Sequence, residues 1–237
     1  GTCWSFATTS FIETEAIRLG KESISLSPIF FVPPTYLGKA KKFIEKKGDS
    51  YFAEGDLTFS VLDAYKKYGA IPEQVYNGIP KEDWQHDHVE MDDLLKNMVA
   101  SIGTSGYGRI KPHSWSKAID GVLKAYLGTP PVTFLYKGKR YSPKTFADKY
   151  VGINPDEYVE ITSYNQSDFY KMFVLNIPAN WNETTYFNLP ITEFEKTIDY
   201  ALENGYSLAW DGDASEPFFD FKKGVLQLSS DEETIMI

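Results

Sequence analysis

The chain of 237 residues carries one cysteine, three histidines and no run of 18 apolar residues. A single thiol excludes an internal disulfide and stays free in an oxidising or a reducing compartment alike, so it leaves localisation open. Without a long apolar run, no segment reads as a membrane-spanning helix. Positive charge is the scarcer sign: 24 Lys and Arg stand against 33 Asp and Glu, a formal net charge of −9. Nucleic acids and anionic membrane surfaces select basic patches, so neither is an expected partner. Internal repeats and low-complexity tracts are absent. Against these absences stand a hydrophobic fraction of 42% and an aromatic fraction of 16%. Both suit a packed globular chain of one large domain or two small ones.

Periodicity predicts a helix from Cys3 to about Leu19. Trp4, Ala7, Phe11, Ile12 and Ala16 recur at helical spacing, Thr2 is the expected cap and Gly20 the stop. A helix this apolar belongs inside a domain. Asp56 is the expected cap of a second helix, with Leu57, Val61, Tyr65 and Tyr68 on one face and Gly69 at its end. Asp87 and Glu90 make a capping-box pattern before Met91, Leu94, Leu95, Met98 and Ile102. A further helix carries Trp115, Ile119, Val122 and Tyr126 up to Gly128. Val132–Tyr136 and Arg140–Tyr141 flank Lys137-Gly138-Lys139 as a hairpin, and Ser142-Pro143 opens a short helix. Tyr158–Thr162, Met172–Ile177 and Tyr206–Trp210 read as strands, the last of them buried. Thr192 and Glu195 read as a capping box for a helix through Phe194, Ile198 and Leu202. Helices early and strands late indicate an α+β fold.

Four groups hold residue types that can carry chemistry. Cys3 opens the first helix, and the positive end of a helix dipole favours a thiolate over a thiol. The plain alternative is a small buried hydrophobe. His86, Asp87, His88 and Glu90 are metal-ligating residue types, but i and i+2 side chains diverge on a helix, so no metal site is expected. His113 lies on an expected loop, and Asp211-Gly212-Asp213 reads as a turn rather than a calcium loop.

The segment Gly1-Thr2-Cys3-Trp4-Ser5-Phe6 resembles the nucleophile segment of papain-like cysteine peptidases. Leu26-Ser27-Pro28, Glu54-Gly55-Asp56, Tyr68 through Tyr76 and Ala201 through Trp210 resemble further segments of that family. The long stretch between Tyr76 and Asn188 is similar to the bleomycin hydrolase/aminopeptidase C branch. The resemblance implies a helical lobe with a central nucleophile helix over 1–80, a branch-specific insert over 81–190 and the start of a β-barrel lobe over 191–237. It implies Cys3 as the nucleophile, forming a thioester with a peptide carbonyl. It implies Gly55 as a backbone binding site for the substrate and Ala209 as a wall of the pocket for the substrate's second side chain. Peptides are the implied substrates, no cofactor is implied, and relatives form hexamers.

The chain departs from the family pattern at three places. It has no glutamine six residues before Cys3, no His-Gly or His-Ala ahead of a buried strand, and no Asn-Ser-Trp-Gly. The expectation is the amino-terminal part of a longer enzyme, inactive by itself. One rival is a catalytically inactive papain-like domain that binds peptides or proteins. The other is a metal-dependent enzyme built on His86 and His88.

Overall fold

The computed structural model describes residues 1–80, 85–104, 112–212, 219–220 and 222–226. Helix α1 runs from Cys3 to Arg18. Its buried side is Trp4, Ser5, Thr8, Thr9, Ile12, Glu15 and Ala16, so small hydroxyl residues share the core with apolar ones. Ser5 donates to the Pro28 carbonyl at 2.6 Å and Thr8 to the Trp4 carbonyl at 2.9 Å, while the Thr9 hydroxyl has no hydrogen-bond partner among the described residues. Gly20 ends the helix at φ 77°, with the Lys21 N–H returning to Ala16.

Helix α2 (Val32–Glu45) follows a 3₁₀ turn over Pro28–Phe31, and α3 (Thr58–Tyr68) packs on α1. Helices α4 (Val89–Thr104) and α5 (Pro112–Leu127) pack on α2 and on each other. Met91, Leu95 and Val99 supply the buried face of α4, and Ile119, Leu123 and Leu127 that of α5. Gly69 closes α3 at φ 87°, where a Cβ would stand 2.2 Å from the Pro143 carbonyl oxygen. No other residue fits that turn.

Strands β1 (Phe134–Tyr136) and β2 (Lys139–Tyr141) form the expected hairpin, turning through Lys137 and Gly138, both at positive φ. Ser142 caps the short helix α6 (Pro143–Phe146) by a capping box with Thr145. Phe134, Tyr136, Tyr141, Phe146 and Tyr150 pack as one aromatic cluster. A three-stranded sheet has the order β3-β5-β4: β3 (Ile161–Thr162) runs parallel to β5 (Thr185–Asn188), and β4 (Met172–Val174) antiparallel. After helix α7 (Ile191–Glu203), β6 (Phe219–Asp220) and β7 (Val225–Leu226) form a last hairpin. The fold is mixed helix and sheet, α+β as expected, and the described residues contain no closed barrel.

Several local expectations are corrected. Thr2 makes no cap bond; its buried hydroxyl meets His88 Nδ1 at 3.3 Å. The cap position of α3 is Leu57, because the Asp56 carboxylate turns inward to Ser60, Trp181 and Lys39. The first N–H of α3 goes instead to Asp211, 153 residues away, at 3.0 Å. Asp87 accepts from the Val89 N–H at 3.1 Å. Pro190, not Thr192, precedes α7, and no side chain caps it. Tyr206–Trp210 is neither a strand nor buried: Trp210 is 70% exposed. Strand β5, the centre of its sheet, was not expected.

Candidate active site

Cys3 is exposed and free at the first position of α1. The Thr2 carbonyl accepts from the N–H groups of Ser5 and Phe6. The N–H groups of Cys3 and Trp4 stand at the helix end without an intrahelical partner. Trp4 is buried, and its indole N–H donates to the Glu54 carbonyl at 3.1 Å. That bond sets the turn carrying Gly55 beside the residue after the thiol. Glu54 also meets the Gly1 ammonium at 3.1 Å, which holds its carboxyl below the usual range. The neighbours of Cys3 and Gly55, Trp4 and Glu54, are thus joined across 50 residues of chain.

The Gly55 turn is held from below. Lys39, fully buried on α2, donates to the carbonyls of Ala53 at 2.6 Å and Gly55 at 2.5 Å and pairs with Asp56 at 3.5 Å. Burial pushes the Lys39 ammonium down and the Asp56 carboxyl up, and each charge offsets the other's desolvation. Trp181 donates to Asp56 from the loop before β5.

Ala209 is half-buried on the irregular segment after α7. That segment is pinned at two points. Ser207 donates to Glu15 through its N–H and hydroxyl, and Arg18 lies 4.3 Å over the Tyr206 ring. Asp211 accepts from Thr58 at the start of α3. Ala209 thus sits between the far end of α1 and the start of α3, and no hydrogen bond among the described residues joins its segment to Cys3. Asp211 also raises the Glu160 carboxyl, which burial and that neighbour push up to about 7. Asp213 lies outside the described residues.

The histidines lie near the helix entrance without touching the thiol. His86 packs edge-on against Phe6 at 5.5 Å, and His88 meets Thr2. Burial lowers both below the ordinary imidazole value. The His113 side chain lies outside the described residues. Among the described residues no three His, Cys, Asp or Glu side chains are placed to share a metal ion, and no helix is long and apolar enough to cross a membrane. A depression of about 370 Å³ between Ser25, Pro72, Glu73, Gln74, Asn77 and Tyr136 contains none of the Cys3, Gly55 or Ala209 segments.

The model of the Peptidase C1-like family matches residues 56–234. The chain belongs to that family. Aminopeptidase C of Streptococcus thermophilus is 24% identical over 189 residues, covering 70% of this chain and 42% of the relative. Aminopeptidase G of Lactobacillus delbrueckii subsp. lactis is 22% identical over 265 residues, covering 95% and 60%. The crystal structure of pepW from Lactobacillus rhamnosis HN001 superposes with a TM-score of 0.64 at 19% identity, over 87% of this chain and 55% of that one. The chain spans about half the length of the curated relatives it matches. The family match begins after Cys3 and Gly55, so it speaks for the fold and not for those two residues.

Lys39 escaped the sequence reading. In Lys39-Ala40-Lys41-Lys42 a lysine reads as a solvated helix face, and only the tertiary fold shows this one to be buried. The available signal was spacing: Val32, Tyr36, Ala40 and Ile44 set the buried stripe of α2, and Lys39 falls beside it.

Proposed function

We propose that the chain supplies the nucleophile-bearing part of a papain-like cysteine aminopeptidase. One observation carries the reading: an exposed thiol heads α1, and the Glu54–Gly55 turn is hydrogen-bonded to the residue beside it. Cys3 Sγ attacks a peptide carbonyl, the C–N bond breaks as the amine leaves with a proton, and water hydrolyses the thioester to release the acid and restore the thiol. The N–H of Cys3 stabilises the oxyanion. Gly55 offers backbone to the peptide, and Ala209 borders the pocket for its second side chain. Neither His86 nor His88 is assigned as the base, since both face other partners. The division 1–80, 81–190 and 191–237 is proposed as one of family segments, because the core itself runs from Trp4 to Ile153 without a break at residue 80. A homo-oligomer is proposed on the branch resemblance alone.

The test uses the full-length gene product and a fluorogenic aminoacyl amide. Cys3→Ala abolishes hydrolysis and leaves the circular dichroism spectrum unchanged; hydrolysis that survives the substitution overturns the reading. A second reading is favoured by the lack, among the described residues, of any imidazole on the thiol: a domain that binds peptides without cleaving them. Peptide binding without turnover by the full-length protein would establish it.

A further inference from the structure

Lys39 has no side-chain surface exposed to water, yet it is an ammonium group. Its three acceptors all lie in one four-residue stretch: the carbonyls of Ala53 and Gly55 and the carboxylate of Asp56. The rings of Tyr51 and Tyr36 lie 5.1 and 5.6 Å from its Nζ and complete a cation-binding wall. Asp56 is saturated in turn, by the Leu57 N–H, the Ser60 hydroxyl at 2.5 Å and the Trp181 indole. The turn is therefore fixed on its inner side by charge-assisted hydrogen bonds, the strong class. On its outer side Gly55 is open, since a Cβ there would meet only the Tyr51 hydroxyl, at 3.7 Å. Among the described residues the Gly55 N–H donates to no group, whereas its carbonyl is taken by Lys39.

We infer that Lys39 is a positioning residue for the Gly55 turn, and that Gly55 meets a peptide as a hydrogen-bond donor only, taking one backbone carbonyl of the substrate. This rests on the peptidase reading above. An extended peptide laid on an ordinary strand edge exchanges a donor and an acceptor with it. Here the acceptor is engaged by a fully buried ammonium group. The peptide is held at Gly55 by a single bond whose direction is set by a lysine that never touches it.

Removing Lys39 alone strands a buried carboxylate and threatens folding. The double variant Lys39→Met/Asp56→Asn, made in the full-length protein, removes both charges. It raises KM for a tripeptide amide about three- to tenfold, the worth of one ordinary hydrogen bond. Its kcat and its rate of Cys3 alkylation by iodoacetamide stay at the parental values. Hydrogen exchange adds a second readout: in the full-length Cys3→Ala protein, bound tripeptide slows exchange of the Gly55 N–H. A parental KM in a folded double variant, or Gly55 exchange indifferent to peptide, overturns the inference while leaving the thiol mechanism standing. If hydrolysis survives Cys3→Ala, the peptidase reading falls and the inference falls with it.

Discussion

Cys3 and Gly55 are small, open residues, and both can be changed without disturbing the core. Loss of one exposed thiol leaves no cavity, so Cys3→Ala shifts stability by less than about 0.5 kcal/mol, as a melting curve would show. Gly55 does not occupy a left-handed conformation, and the space beside it is free. Gly55→Ala therefore folds with parental stability, and in the full-length protein it lowers kcat/KM for peptides while iodoacetamide still alkylates Cys3 at the parental rate. A matching fall in melting temperature would trace the effect to folding and remove the case for a substrate contact. The place of Cys3 at the head of a helix was legible because its signal is local: an apolar 3.6-residue pattern that begins at Trp4. The partners of Thr2, Asp56 and Lys39 were not, since each is chosen by a chain segment 14 to 125 residues away. Capping patterns name a residue able to cap; tertiary contacts decide whether it does.

Helices α1, α3, α4, α5 and α7 follow from a 3.6-residue pattern that each stretch carries within itself. The strands are two to four residues long and owe their pairing to distant partners, which is why β5 went unseen and Tyr158–Thr162 and Met172–Ile177 shrank. Tyr206–Trp210 alternates as a strand should, but among the described residues no strand pairs with it, and side chains anchor it instead. Glu15 controls that anchoring at Ser207. Despite its burial, Glu15 is held below the usual range by hydrogen bonds from Arg18, Ser207 and Tyr158. Glu15→Ala leaves those donors unpaired and costs about 2–4 kcal/mol, with faster amide exchange through residues 206–208. Glu160 behaves oppositely. Its folded value of about 7 lies above the ordinary 4.5, so the folded state binds the proton more tightly. Its contribution to stability is greatest below pH 4.5, falls as pH rises towards 7 and is level beyond. The loss is at most about 3 kcal/mol, less any share that water screens. Glu160→Gln removes this contribution from the pH slope in denaturant titrations; an unchanged slope would place the titration elsewhere.

One continuous core joins Trp4 at the head of α1 to Ile153 past the aromatic cluster. Met91 through Ile153, within the stretch read as an insert, supply part of that same core. Residues beyond the core are held by polar anchors and by Trp181 packed on Phe59, and α7 contributes no fully buried side chain. The stripe of α1 headed by Cys3 and running through Phe6, Ser10 and Ile17 stays open to solvent. This arrangement presents an exposed thiol and an open turn without an imidazole to serve as base: no imidazole among the described residues hydrogen-bonds to the Cys3 thiol, and the two placed histidines are committed to Phe6 and Thr2. General-base help is worth about 10²–10⁴-fold in rate, and the leaving amine needs a proton that no placed group supplies. The 237-residue chain by itself is therefore expected to react stoichiometrically with iodoacetamide at Cys3 and to release no fluorophore from an aminoacyl amide over hours. Steady release that Cys3→Ala abolishes would show that this chain holds its own base. His86→Ala and His88→Ala would then identify which of the two leaves its present partner to serve the thiol.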